Sequence, residues 1–118
     1  MATILVVDDA AFMRMRMSKI LTEAGYDVIQ ACNGIEAVNE YKKGSPDAVL
    51  MDITMPEMDG LTALREIREH DSSAKVAMVT ALGQQQIVLE ALKAGAKDFL
   101  VKPCEGERVL ATINKLCG

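Results

Sequence analysis

No stretch of this sequence is apolar for long enough to span a bilayer, since its longest apolar runs stay under ~18 residues. The opening residues, Met1-Ala2-Thr3-Ile4, carry no basic n-region and run straight into a strand pattern, so no signal peptide is read there and a cytoplasmic location is expected. Histidine occurs once, as His70, which leaves it without a partner histidine for a metal site. The three cysteines, Cys32, Cys104 and Cys117, are odd in number and lack paired spacing. That argues against a disulfide framework or a zinc site, and they read as free thiols. Basic charge is also scarce: 13 Lys and Arg against 17 Asp and Glu give a net charge of −4. Binding to nucleic acid wants a basic face, so it is not expected. Low-complexity segments, linkers and internal repeats are missing too.

What is present is a regular alternation. A chain of 118 residues with 50% hydrophobic and 25% charged residues fits one ordinary globular domain. Ile4-Leu5-Val6-Val7, Ala48-Val49-Leu50-Met51 and Val76-Ala77-Met78-Val79 are continuous apolar runs, suited to strands covered on both faces. Residues 26–30 and 98–102 mix apolar with polar side chains and suit strands nearer the sheet edges. Helical periods lie between them. Met13, Met17, Ile20, Leu21 and Ala24 share one face of the first, with Arg14 and Met15 pointing elsewhere. Further helices are predicted near 33–43, 60–70, 84–94 and 106–117. Gly25 and Gly95 stand where a left-handed residue would end a helix. Asn33 followed by Glu36 resembles a capping box. Five strand–helix pairs in strict alternation predict an α/β fold, a doubly wound parallel five-stranded sheet. Right-handed crossovers, with the three apolar strands central, give the order 2-1-3-4-5.

In such a sheet ligands bind outside the carboxyl ends of the strands. Strand 1 ends in Asp8-Asp9, strand 3 in Asp52, strand 4 in Thr80-Ala81 and strand 5 in Lys102-Pro103. Three carboxylates, one hydroxyl and one ammonium therefore converge. Crowded carboxylates repel, and one would stay protonated without a counter-charge. A hard divalent cation such as Mg²⁺ resolves this with oxygen ligands. An Asp beside Mg²⁺ and Lys is placed to attack a phosphoryl group and form an aspartyl phosphate. The cation and the ammonium would offset charge on the phosphoryl oxygens, and the Thr80 hydroxyl could donate to one of them. Each residue alone has a plainer reading: Asp9 as a helix N-cap, Thr80 as a strand end bonded to backbone, Lys102 as a solvated charge. Their coincidence at one sheet edge favours a site.

The motifs Val7-Asp8-Asp9, Met51-Asp52-Ile53-Thr54-Met55-Pro56-Glu57-Met58-Asp59-Gly60, Val79-Thr80-Ala81 and the run 94–103 ending in Lys102-Pro103 resemble the receiver domain of two-component response regulators. The single-domain chemotaxis members look most similar. The likeness covers essentially the whole chain and implies a flavodoxin-like (βα)5 receiver domain over residues 1–118. It implies that Asp52 accepts phosphate from a phosphohistidine on a partner kinase. Asp9 would bind Mg²⁺ directly, Asp8 through water, and the backbone carbonyl of Thr54 would add a further ligand. Lys102 would contact the phosphoryl group, with a cis peptide to Pro103. Thr80 would move toward the phosphate and the aromatic Phe99 would swing inward behind it. The face of the fourth helix, fifth strand and fifth helix would then change its affinity for a downstream protein, in chemotaxis a component of the flagellar motor switch. A monomer is expected.

Some positions depart from the family's commonest pattern. Phe99 stands where many chemotaxis members have Tyr, so it lacks the hydroxyl. Thr54 and Leu82 stand two residues past Asp52 and Thr80, where access of the hydrolytic water is governed in the family. An apolar Leu82 cannot orient water, so slow self-dephosphorylation is expected. Three other readings compete. A phosphohydrolase of the haloacid dehalogenase type also uses Asp, Lys and Mg²⁺, but normally needs a second Asp where Thr54 stands, and a longer chain. A receiver-like module that is never phosphorylated would not need Asp8, Asp9, Asp52, Thr80 and Lys102 together. A phosphorelay intermediate of another pathway would look much like a chemotaxis protein. A nucleotide-binding enzyme is unsupported, because no glycine-rich loop follows the first strand.

Overall fold

The strands β1 (Thr3–Val7), β2 (Asp27–Ala31), β3 (Ala48–Asp52), β4 (Val76–Thr80) and β5 (Asp98–Val101) pair in parallel in the order 2-1-3-4-5, as the alternation predicts. The helices α1 (Ala11–Glu23), α2 (Gly34–Gly44), α3 (Gly60–His70), α4 (Gln85–Lys93) and α5 (Gly106–Cys117) follow them in turn. This is a computed structural model, and it describes residues 2–81 and 83–117.

The period of two along each strand divides the core. Leu5, Val7, Val49, Met51 and Met78 face α2, α3 and α4 and pack on Val38, Leu64, Ile67 and Val88. Ile4, Val6, Leu50, Ala77 and Val79 face the other way, toward Met17 and Leu21 of α1 and Val109 and Ile113 of α5. Every residue of β3 and β4 is buried, whereas β2 and β5 keep exposed positions, as edge strands do.

Element ends differ from the sequence expectation by small steps with local causes. Tyr26 precedes β2, and Lys102 lies one residue past β5. Ala24, expected on the buried stripe of α1, is exposed because the helix has ended and Ala24 is its C-cap. Gly25 and Gly95 both adopt positive φ, 96° and 111°, and end their helices as expected. Asn33 caps α2 by accepting from the Glu36 amide at 2.8 Å. The returning half of the box is shifted: the Glu36 carboxylate accepts from Cys32 N–H at 3.0 Å instead of from the cap residue's own amide.

Register positions the site. Val7 lies opposite Met51, Asp52 opposite Val79, and Thr80 opposite Val101. Asp8, Asp52, Thr80 and Lys102 therefore all emerge at one edge of the sheet. Gly60 then brings α3 directly against that edge. Its amide donates to the Ile53 carbonyl at 2.8 Å, and a Cβ there would collide with the Asp52 carbonyl oxygen.

Candidate phosphoacceptor and metal site

Asp8 follows β1 and is buried, Asp9 beside it is exposed, and Asp52, the last residue of β3, is only 6% exposed. One carboxylate oxygen from each of the three lies within 4.8 Å of the others. Lys102 reaches in from the end of β5. Its Nζ stands 3.2 Å from Asp8 Oδ2 and 3.2 Å from Asp52 Oδ1. Lys102 is thus a paired charge, not a solvated one. The peptide to Pro103 is cis, as the resemblance implies.

The electrostatics of this cluster are unbalanced. Burial, and then the neighbouring Asp8, push the Asp52 carboxyl above the ordinary carboxylate range; Lys102 pulls the other way and Asp9 adds to the rise. For Lys102, burial disfavours the ammonium, but Asp52 and Asp8 outweigh it and hold the group above its usual value. With all three carboxylates ionised, one ammonium leaves two negative charges uncompensated. The donor set is all carboxylate oxygen, hard and divergent in origin, which suits a hard divalent cation such as Mg²⁺ and not a soft metal.

The helix-cap reading of Asp9 does not hold. The residue before α1 is Ala10, with no side-chain cap, and its amide donates to Asp8 Oδ1 at 2.9 Å. Asp9 therefore remains open at the surface.

Thr80 is 2% exposed at the end of β4. Its hydroxyl donates to the side-chain oxygen of Gln84 at 2.8 Å, and the Ala81 carbonyl lies at 3.1 Å. The plainer reading of Thr80, a hydroxyl engaged near its own backbone, thus describes part of what is there. Thr54, in the loop after β3, is exposed, and its hydroxyl accepts from the Gln84 side-chain nitrogen at 3.0 Å. Phe99 is 38% exposed and lines a shallow apolar groove with Val88, Leu89, Leu92 and Val101. The ring lies outward, on the face formed by α4 and β5. Leu82 lies outside the described residues.

Two contributors escaped the sequence reading. Arg14, expected to point away from the core stripe, donates to the Asp8 carbonyl at 2.7 Å and so pins the end of β1. The Gln84-Gln85-Gln86 run after Gly83 reads in sequence either as a mobile loop near the site or as a polar helix start, with no role for Gln84 itself. Its one local signal is that Gln is a poor N-cap residue at a cap position.

Residues 4–114 match the family described as the response regulator receiver domain. The chain is 58% identical over 113 residues to the chemotaxis protein CheY of Bacillus subtilis, covering 95% of this chain and 94% of that one. Identity to the chemotaxis protein CheY of Thermotoga maritima is 55% over 114 residues, 96% of this chain and 95% of that one. A solved CheX–CheY–BeF3–Mg²⁺ complex from Borrelia burgdorferi superposes with a TM-score of 0.93 at 42% identity, over 98% of this chain and 88% of that one. Among the described residues no helix is long and apolar enough to cross a membrane. The chain belongs to the response regulator receiver domain family, and its likeness is to the CheY-like members of two-component signalling and chemotaxis.

Proposed function

We propose that Asp52 accepts a phosphoryl group from a histidine kinase and that the protein works as a phosphorylation-controlled switch in chemotaxis. The observation that carries this is the ammonium of Lys102 at 3.2 Å from both Asp8 and Asp52, within a cluster of three carboxylates. Asp9, Asp52 and the Thr54 backbone carbonyl would hold Mg²⁺, with Asp8 reaching it through water. When bound, Mg²⁺ supplies positive charge to the phosphoryl oxygens. Asp52 supplies the nucleophile: its carboxylate oxygen attacks phosphorus, the P–N bond to the donor histidine breaks, and that nitrogen keeps the electron pair. Lys102 shares the charge on the phosphoryl oxygens, and the Thr80 hydroxyl donates to one of them once it moves. The only chemistry is then the protein's own phosphorylation and dephosphorylation, with no turnover of a separate substrate.

Residues 1–118 then act as one receiver unit, a reading supported by coverage of 94% and 95% of two chemotaxis relatives. It works as a cytoplasmic monomer. The groove of α4 and β5, where Phe99 lies, together with α5, is the face that a downstream partner reads. A flagellar motor component fits the likeness to chemotaxis proteins, and the Borrelia burgdorferi relative was solved in complex with CheX.

The decisive measurement is intact mass after incubation with Mg²⁺ and acetyl phosphate. Wild type should gain one phosphate and Asp52→Asn none. Steady release of phosphate from esters without an adduct would instead support a hydrolase, which the Thr at position 54 already disfavours.

A further inference from the structure

Gln84 occupies the N-cap position of α4, yet its side chain makes no bond to that helix. It turns back over the loop instead. The carboxamide oxygen accepts twice, from the Thr80 hydroxyl at 2.8 Å and from the Ala81 amide at 2.8 Å. The carboxamide nitrogen donates to the Thr54 hydroxyl at 3.0 Å. The Ala81 N–H can only donate, so it fixes which end of the carboxamide carries oxygen, and the nitrogen must face Thr54. One side chain thus ties together the loops after β3 and β4, the strands that end in Asp52 and Thr80.

A hydroxyl has a single proton to give, and of the two acceptors in reach of Thr80 the Gln84 oxygen at 2.8 Å is nearer than the Ala81 carbonyl at 3.1 Å. While Thr80 gives it to Gln84, it cannot give it to an oxygen held on Asp52. We propose that Gln84 is a positioning residue that latches the Thr80 hydroxyl in the resting arrangement, so that phosphorylation must break this bond before Thr80 engages the phosphoryl group. The proposal rests on Asp52 being the acceptor and adds the group that opposes the switch. Losing the latch removes an interaction present only in the resting state, which shifts the population toward the active one.

Gln84→Met keeps the side chain's length and removes its polar atoms. With Mg²⁺ present, beryllofluoride, a tetrahedral stand-in for a phosphoryl group, should half-saturate Gln84→Met at a roughly 3- to 10-fold lower concentration than wild type, the effect of about one hydrogen bond. Amide NMR resonances report the bound fraction, and Gln84→Ala should shift the same way. In a Thr80→Val background, Gln84→Met should change the midpoint by less than about 2-fold, because the latch then has nothing to hold. In metal-free protein, Gln84→Met should speed hydrogen exchange at the Ala81 amide. Unchanged or weaker beryllofluoride binding in both variants, an equal shift in the Thr80→Val background, or unchanged Ala81 exchange would each overturn the latch. A wild type that binds no beryllofluoride would overturn the acceptor reading and the latch with it. Normal wild-type binding with no variant effect sinks the latch alone.

Discussion

Lys102 is the one cation within ion-pair distance of Asp8 and Asp52 among the described residues. Its place at the carboxyl end of β5 explains why it was legible: a charged residue where a parallel strand ends emerges at the ligand edge. The same logic found Asp8, Asp9, Asp52 and Thr80. It could not find Gln84 or Arg14, whose contacts depend on side chains folding back across loops, a geometry that no periodicity encodes. A second residue-scale network lies far from the site. Tyr41 donates to Asp71 Oδ2 at 2.7 Å, and the Ser73 hydroxyl donates to Asp71 Oδ1 at 2.7 Å. The Ser73 hydroxyl, followed by Tyr41, holds the Asp71 carboxyl below its ordinary range. A carboxyl lowered by folding contributes stability that is present above its unfolded pKa, about 3.9, and is lost as pH falls through the folded value. Asp71→Asn should therefore melt below wild type at pH 7. The gap should narrow as pH falls below about 4, as thermal denaturation across that range would record.

At the scale of elements, the sheet order and the five helices were legible because the strand runs and the helical stripes have different periods. The ends were less so. Ala24 fits the apolar stripe of α1 by spacing, but the chain turns at Gly25 and leaves it outside. Glu36 fits a capping box by spacing, yet its carboxylate reaches one residue further back, to Cys32. Gly60 shows what spacing cannot reveal. By spacing it is only the first residue of the predicted helix 60–70, whereas its role is close approach: α3 begins against the backbone that carries Asp52. The obstruction to a side chain there is backbone, which cannot rotate aside. Gly60→Ala should destabilise the fold by about 1–3 kcal/mol in urea denaturation, despite the better helix propensity of Ala. It should also lower the rate of phosphate incorporation at Asp52, because the shift it forces falls on that residue's carbonyl.

For the whole molecule, the acidic cluster on which the proposed switch rests opposes folding. Burial and the Asp8 charge raise the Asp52 carboxyl above its ordinary range. For a carboxyl raised by folding the sign reverses: the ionised form is less favourable in the folded state, so this group's contribution falls as pH rises through the folded value. Metal-free Asp52→Asn should accordingly melt higher than metal-free wild type at pH 7. A divalent cation that binds only the folded cluster adds RT ln(1 + [L]/Kd), about 2.7 kcal/mol at a hundredfold excess over Kd. For a domain of 118 residues that amounts to a rise in Tm on the order of 10 °C. Differential scanning calorimetry with Mg²⁺ and with EDTA should show this rise in wild type. It should be largely lost in Asp9→Ala and in Asp52→Asn, so that the order of stability between wild type and Asp52→Asn reverses when Mg²⁺ is added. Equal Mg²⁺ shifts in all three proteins would mean that the cation binds elsewhere, and the carboxylates would then need another source of positive charge.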